Sequence, residues 1–192
     1  MSIISFRSGV TAAVIGAALC VPATRVRAAA DGEHFTATAT MTSAKVSHSA
    51  PVSFQIDRFV SDADRDKFMA VVKRHKTTEI HDALAAMPDL GVIETGGAKT
   101  PIKYAYATPT GGGRLITIVA AEPVVHIGGD LPDAKPKKGY DLAVAFLILD
   151  ANGTGDGEFA VATKVKIDAK GAIVTEDYSP ATVHLKGISK TK

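Results

Sequence analysis

The chain is almost without cysteine. Cys20 is the only one in 192 residues, and it falls in an N-terminal stretch that reads as an export leader. A chain that has lost that stretch has no thiol, which excludes disulfides, a thiolate nucleophile and cysteine-ligated zinc. Other chemical signatures are missing as well. There is no G-x-S-x-G, no H-E-x-x-H and no H-x-H, so neither an α/β-hydrolase nucleophile elbow nor a helical zinc site is written in the chain. The six histidines, His34, His48, His75, His81, His126 and His184, are scattered. The expectation is that no catalytic, cofactor-binding or metal residue is assigned by sequence.

Charge of one sign is also scarce. Lysine plus arginine number 22 against 20 acids. Residues 1–30 hold Arg7, Arg25 and Arg27 and no acid, so without them 19 basic residues face 20 acidic ones, a net charge near −1. That balance offers no broad field for nucleic acid or an anionic membrane.

Long apolar runs are short of membrane length. Gly9 to Val21 is uncharged but falls below the ~20 residues of a membrane-crossing helix. Arg7 precedes it, Pro22 ends it, and Ala28-Ala29-Ala30 offers an A-x-A cleavage site before Asp31, with Val26-Arg27-Ala28 as a second. Residues 1–30 therefore read as a signal peptide. The mature chain is expected to begin near Asp31, to be periplasmic or secreted, and to keep no stable membrane span after cleavage. Export without disulfides suits a bacterial envelope. Leu19 stands where lipid attachment at Cys20 would want a small residue.

What the chain does have is alternation. Around the turn Pro109-Thr110-Gly111-Gly112-Gly113, the run Ile102–Ala107 puts Ile102, Tyr104 and Tyr106 on one face, and Leu115–Ala120 follows as a second strand. That is a β-hairpin pattern. Phe35–Thr42 alternates apolar residues with threonines, and Val52–Ile56 repeats the pattern after a polar connection, Ser43–Pro51. At Ser61 the period changes. Ser61 is a helix N-cap with Asp64 three residues on, and Phe68, Val71 and Val72 recur at helical spacing. A second helix starts near Thr77 or Thr78 with Ile80, Ala83, Leu84 and Met87 as its stripe and stops at Pro88. This predicts a helical hairpin over about 61–87 that lies on a sheet, being too short to stand alone. A brief strand is expected at Leu90–Glu94. Val124–Ile127 reads as a strand or an extended lid, and Gly128–Gly139 as loop.

Asp141–Asp150 is apolar at both parities, so it is expected to be central and covered on both sides. The small Ala143 and Ala145 predict the helix side. The larger Leu142, Val144, Phe146 and Ile148 predict the side filled by opposing strands, with Phe146 as the anchor. Strands at Glu158–Asp168, Ala172–Tyr178 and Ala181–Ile188 complete the pattern.

Three features invite chemistry. Asp150-Ala-Asn152-Gly-Thr154-Gly-Asp156-Gly-Glu158 places oxygen ligands at alternate positions, but Val161 stands where a calcium loop needs its final glutamate, and a hairpin loop explains the composition. Arg114 beside the glycines is a fork for an anion. Tyr104 and Tyr106 are candidates to line a ligand cavity. Tyr104, Tyr106 and Arg114 are thus the candidate ligand-binding residues.

The stretches TPIKYAYATPTGGGRLIT, LPDAKPKKGYDLAV and GAIVTEDY, with SDADRD before the helix, resemble a group of uncharacterised exported bacterial proteins of similar length. The resemblance implies export and a single domain and carries no site. The expectation is a mainly β (α+β) domain over 31–192. It has seven to ten antiparallel strands curled as a barrel or folded as a sandwich, and one helical hairpin packed on the sheet. The expected function is a non-catalytic binding module for a small molecule or an envelope protein, without cofactor. The alternative is a secreted hydrolase whose site is assembled from separate strands.

Overall fold

A computed structural model describes residues 31–43, 46–74, 77–129, 131–169, 172–178 and 183–191. The leader read at residues 1–30, His75 and the turn at Ser179-Pro180 lie outside the described residues. Nine strands and two helices follow one another as β1 (Asp31–Ser43), β2 (Val46–Arg58), α1 (Asp62–Arg74), α2 (Thr77–Ala85), β3 (Gly91–Thr95), β4 (Ala98–Thr110), β5 (Gly113–Ala120), β6 (Leu142–Asp150), β7 (Thr154–Ile167), β8 (Ile173–Tyr178) and β9 (Val183–Thr191).

All pairings are antiparallel. Strands β1 to β7 pair in chain order, β9 joins β7 to β1, and β8 is an extra strand beside the far half of β7. The sheet is an eight-stranded closed barrel, which settles the choice between barrel and sandwich. Closure depends on β1 meeting β9, with Thr36 opposite Ser189 and Thr40 opposite His184. Among the described residues, no helix is long and apolar enough to cross a membrane.

The second strand starts earlier than its sequence pattern suggests. Most of Ser43–Pro51, read as a connection, is strand, with Pro51 opposite Thr38. Pro51 lies just past the last pairing with β3, at Val52–Thr95, where a missing N–H costs little in the ladder.

Two apolar cores share the barrel wall. The interior is filled by Phe35, Phe54, Phe159, Ile116, Ile118 and Leu147 among others, all buried. Phe54 and Phe159 meet nearly edge-on, 5.9 Å between ring centres. An eight-stranded barrel is just wide enough for side chains to fill or for one small ligand; here side chains fill it, and large residues sit beside small ones: Ala145 is the register partner of Phe159. Val124, Ile127, Leu131 and Ala134, on the β5–β6 connection, join this core. Val124 donates its N–H to Val161 O at 2.8 Å. Of the two readings for Val124–Ile127, the extended lid is the one observed, lying across one barrel end.

The second core lies outside the wall. Phe68, Met69 and Val72 of α1 and Ile80 and Leu84 of α2 cover Tyr104, Val119, Leu142, Val144 and Val165. Ser61 caps α1, accepting the Asp64 N–H at 3.2 Å while its hydroxyl donates to Asp64 Oδ2 at 2.8 Å.

Strand β6 is covered on both sides as expected, but the sides are exchanged. Ala143, Ala145, Leu147 and Leu149 face the interior, whereas Leu142, Val144 and Phe146 face the helix layer. The narrow interior takes the small residues. Phe146 is only partly buried and is not an anchor, and Ile148 is 59% exposed because the hairpin does not reach it.

Candidate functional site

The candidate residues from the sequence separate in space. Tyr104 is buried beneath α1, its ring 4.8 Å from that of Phe68. Burial pushes its hydroxyl well above the ordinary tyrosine range. Tyr106 shares that face, with its ring 6.5 Å from Tyr104. Its hydroxyl donates to Asp62 Oδ1 at 2.9 Å and accepts from Arg65 Nη1 at 3.3 Å, and the Arg65 guanidinium lies 5.1 Å from the ring centre. Burial first, and then the Asp62 hydrogen bond, raises its pKa. Together these tyrosines hold α1 to the barrel.

Arg114 is engaged by Glu33. Its Nη2 lies 2.7 Å from Glu33 Oε2, and its Nη1 donates to Glu33 Oε1 at 3.1 Å. Lys190 Nζ reaches the same Oε1 at 2.9 Å. These three residues come from β5, β1 and β9 and gather at the end of the barrel opposite the lid. Lys190 faces Glu33 because of a bulge in β9. Gly155 pairs with Ile188 but Gly157 with Leu185, and Gly187 takes φ +61° there. The extra residue changes which side chains face Glu33. The Glu33 side chain is 10% exposed. Burial pushes its carboxyl up, but hydrogen bonds and charge from Arg114 and Lys190 outweigh that and hold it below the usual range. The fork of Arg114 is thus filled by an internal carboxylate.

The acidic loop is likewise self-satisfied. Asp150 Oδ1 accepts the N–H groups of Asn152 and Thr154 at 2.8 and 2.9 Å, and Oδ2 accepts the Thr154 hydroxyl at 2.9 Å. Those bonds lower the Asp150 pKa. Asp156 pairs with Lys186 at 2.9 Å. Among the described residues, no group of three or more His, Cys, Asp or Glu is placed to hold a metal ion.

The concave feature that sequence reasoning missed lies where the helical hairpin leaves and rejoins the barrel. At the end of β2 the chain crosses to β4 past the residue that precedes β3: Asp57 N–H bonds Leu90 O at 2.7 Å, and Val60 N–H bonds Ala105 O at 2.9 Å on β4. Between this crossing, the two helices and the return segment runs a groove of about 500 Å³. Phe59, Phe68, Val71, Ala83, Met87 and Leu90 give it apolar walls, and Arg58, Ser61, Asp64 and Lys67 add polar groups. Phe59 and Leu90 also belong to the interior core, so the groove floor is the top of the barrel's own packing. The volume falls in the ~300–1,000 Å³ range of small-molecule sites. Its residues come from four separate segments. The one sequence signal was that α1 carries polar residues early and apolar ones late on a single stripe, Ser61, Asp64, Phe68 and Val71.

These features define a closed antiparallel β-barrel with a helical hairpin on its wall and an apolar groove at the hairpin's margin. Comparison with protein-family models, with curated proteins and with solved structures finds no match in any of the three.

Proposed function

We propose that the protein is an exported, non-catalytic binding module, periplasmic or secreted, and that the groove beside the helical hairpin holds a small apolar molecule. One observation carries this reading: an apolar-walled recess of about 500 Å³ on a protein whose barrel interior is occupied by its own side chains. The sequence candidates Tyr104, Tyr106 and Arg114 are engaged in internal contacts and are not among the groove's lining residues. The apolar fluorophore N-phenyl-1-naphthylamine tests it. Its emission should rise on binding to the envelope-purified protein, and Val71→Asp, which puts a charge in the wall, should abolish the rise without moving the melting temperature. An equal rise with the variant would contradict the reading.

One observation favours the hydrolase alternative. His126 Nδ1 lies 2.6 Å from Asp133 Oδ1 on the lid, which is how a carboxylate orients a catalytic imidazole. Both side chains are more than half exposed, and among the described residues no hydroxyl bonds the ring. Hydrolysis of a short-chain nitrophenyl ester that disappears in His126→Ala would establish this second reading.

A further inference from the structure

The groove has both polar and apolar lining. Arg58 and Ser61 sit where the chain leaves the barrel, and Asp64 and Lys67 follow on the first two turns of α1. Phe68, Val71, Ala83 and Met87 line the remainder. The apolar lining suits a chain of methylenes, which gains by leaving water. The polar side chains determine what head group goes with that chain.

The charges there do not cancel. Lys67 Nζ is 3.1 Å from Asp64 Oδ1, and Asp64 also accepts the Ser61 hydroxyl at 2.8 Å. The Ser61 hydrogen bond and then Lys67 hold the Asp64 carboxyl below its usual range, with a smaller contribution from Arg58. Asp64 thus satisfies Lys67, and the surplus charge is Arg58, which is exposed and forms no ion pair among the described residues. A guanidinium presents paired donors that match a carboxylate. An uncharged head would leave Arg58 as solvated as before, and a cationic head would be repelled by it.

We infer that the groove takes a single-chain anionic amphiphile, a long-chain carboxylate, with the chain along Phe68, Val71 and Met87 and the head at Arg58. This inference rests on the groove being the binding site. Three twelve-carbon compounds separate the two claims: dodecanoate, dodecanol and dodecyltrimethylammonium, each below its micellar concentration. They are added to envelope-purified protein loaded with N-phenyl-1-naphthylamine. Dodecanoate should displace the probe at concentrations at least about tenfold lower than the other two. Arg58→Gln should weaken dodecanoate about tenfold and leave dodecanol unchanged, while Arg58→Lys keeps most of the preference. Equal displacement by dodecanoate and dodecanol, or an unaltered dodecanoate response in Arg58→Gln, would overturn the carboxylate assignment and leave the groove reading standing. A probe that fails to bind the wild-type protein, or binds equally to Val71→Asp, would overturn both.

Discussion

The two apolar regions of this molecule differ in how completely they are sealed. The barrel interior is closed around its girth by eight paired strands, at one end by the lid residues Val124, Ile127, Leu131 and Ala134, and at the other by Glu33, Arg114 and Lys190. The outer layer is closed by two helices of 13 and 9 residues. A hairpin that short does not cover the face it lies on. It leaves Ile148 exposed at one margin and the groove at another. The difference is the ground on which the proposed binding site is placed outside the barrel. The interior is filled by buried side chains of its own, whereas a partial second layer leaves apolar surface at its border.

The sharpest test of that contrast is a pair of phenylalanine truncations. Phe159 is wholly buried in the interior, and Phe159→Ala should cost about 3–5 kcal/mol in urea unfolding. Phe146, partly buried under the helices, should cost about 1–2 kcal/mol as alanine. Equal losses would show that the outer layer packs as tightly as the interior.

The charged end of the barrel gives a pH test. The Glu33 carboxyl sits below its unfolded value, so the native state favours its ionised form. That stability is fully present above the unfolded pKa of about 4.3 and is lost as pH falls through the lower folded value. Glu33→Gln should therefore destabilise by about 1–3 kcal/mol at pH 7, and the gap from wild type should shrink below about pH 4. A gap that stays constant down to pH 3 would mean that the charge is not what holds the three strands.

The smallest effect is expected at the helix anchor. Tyr106→Phe removes the hydroxyl shared by Asp62 and Arg65 and should cost about 0.5–1.5 kcal/mol. A larger loss would place the hairpin nearer to the interior in importance.

Much of this architecture is written in local pattern. The alternation in Phe35–Thr42, the break at Ser61 and the doubly apolar run Leu142–Leu149 each foretold an element, because period and capping depend on neighbours in sequence. The orientation of β6 was not legible. Whether its alanines face strands or helices depends on the width of a closed barrel, and closure depends on β1 finding β9 from the other end of the chain. The groove was hidden for the same reason. Arg58, Val71, Ala83 and Leu90 become neighbours only after the chain crosses to β4. The position of the tyrosines was not legible either, because a pair on one strand face looks the same under a helix as in a cavity.

The central claim is that the ligand sits outside the barrel. Methyl NMR of the protein saturated with dodecanoate tests it most directly. The account predicts shifts at the methyls of Val71, Ala83 and Met87, with Ile118, Ala145 and Leu147 unmoved. Shifts at the interior methyls with the groove silent would contradict it.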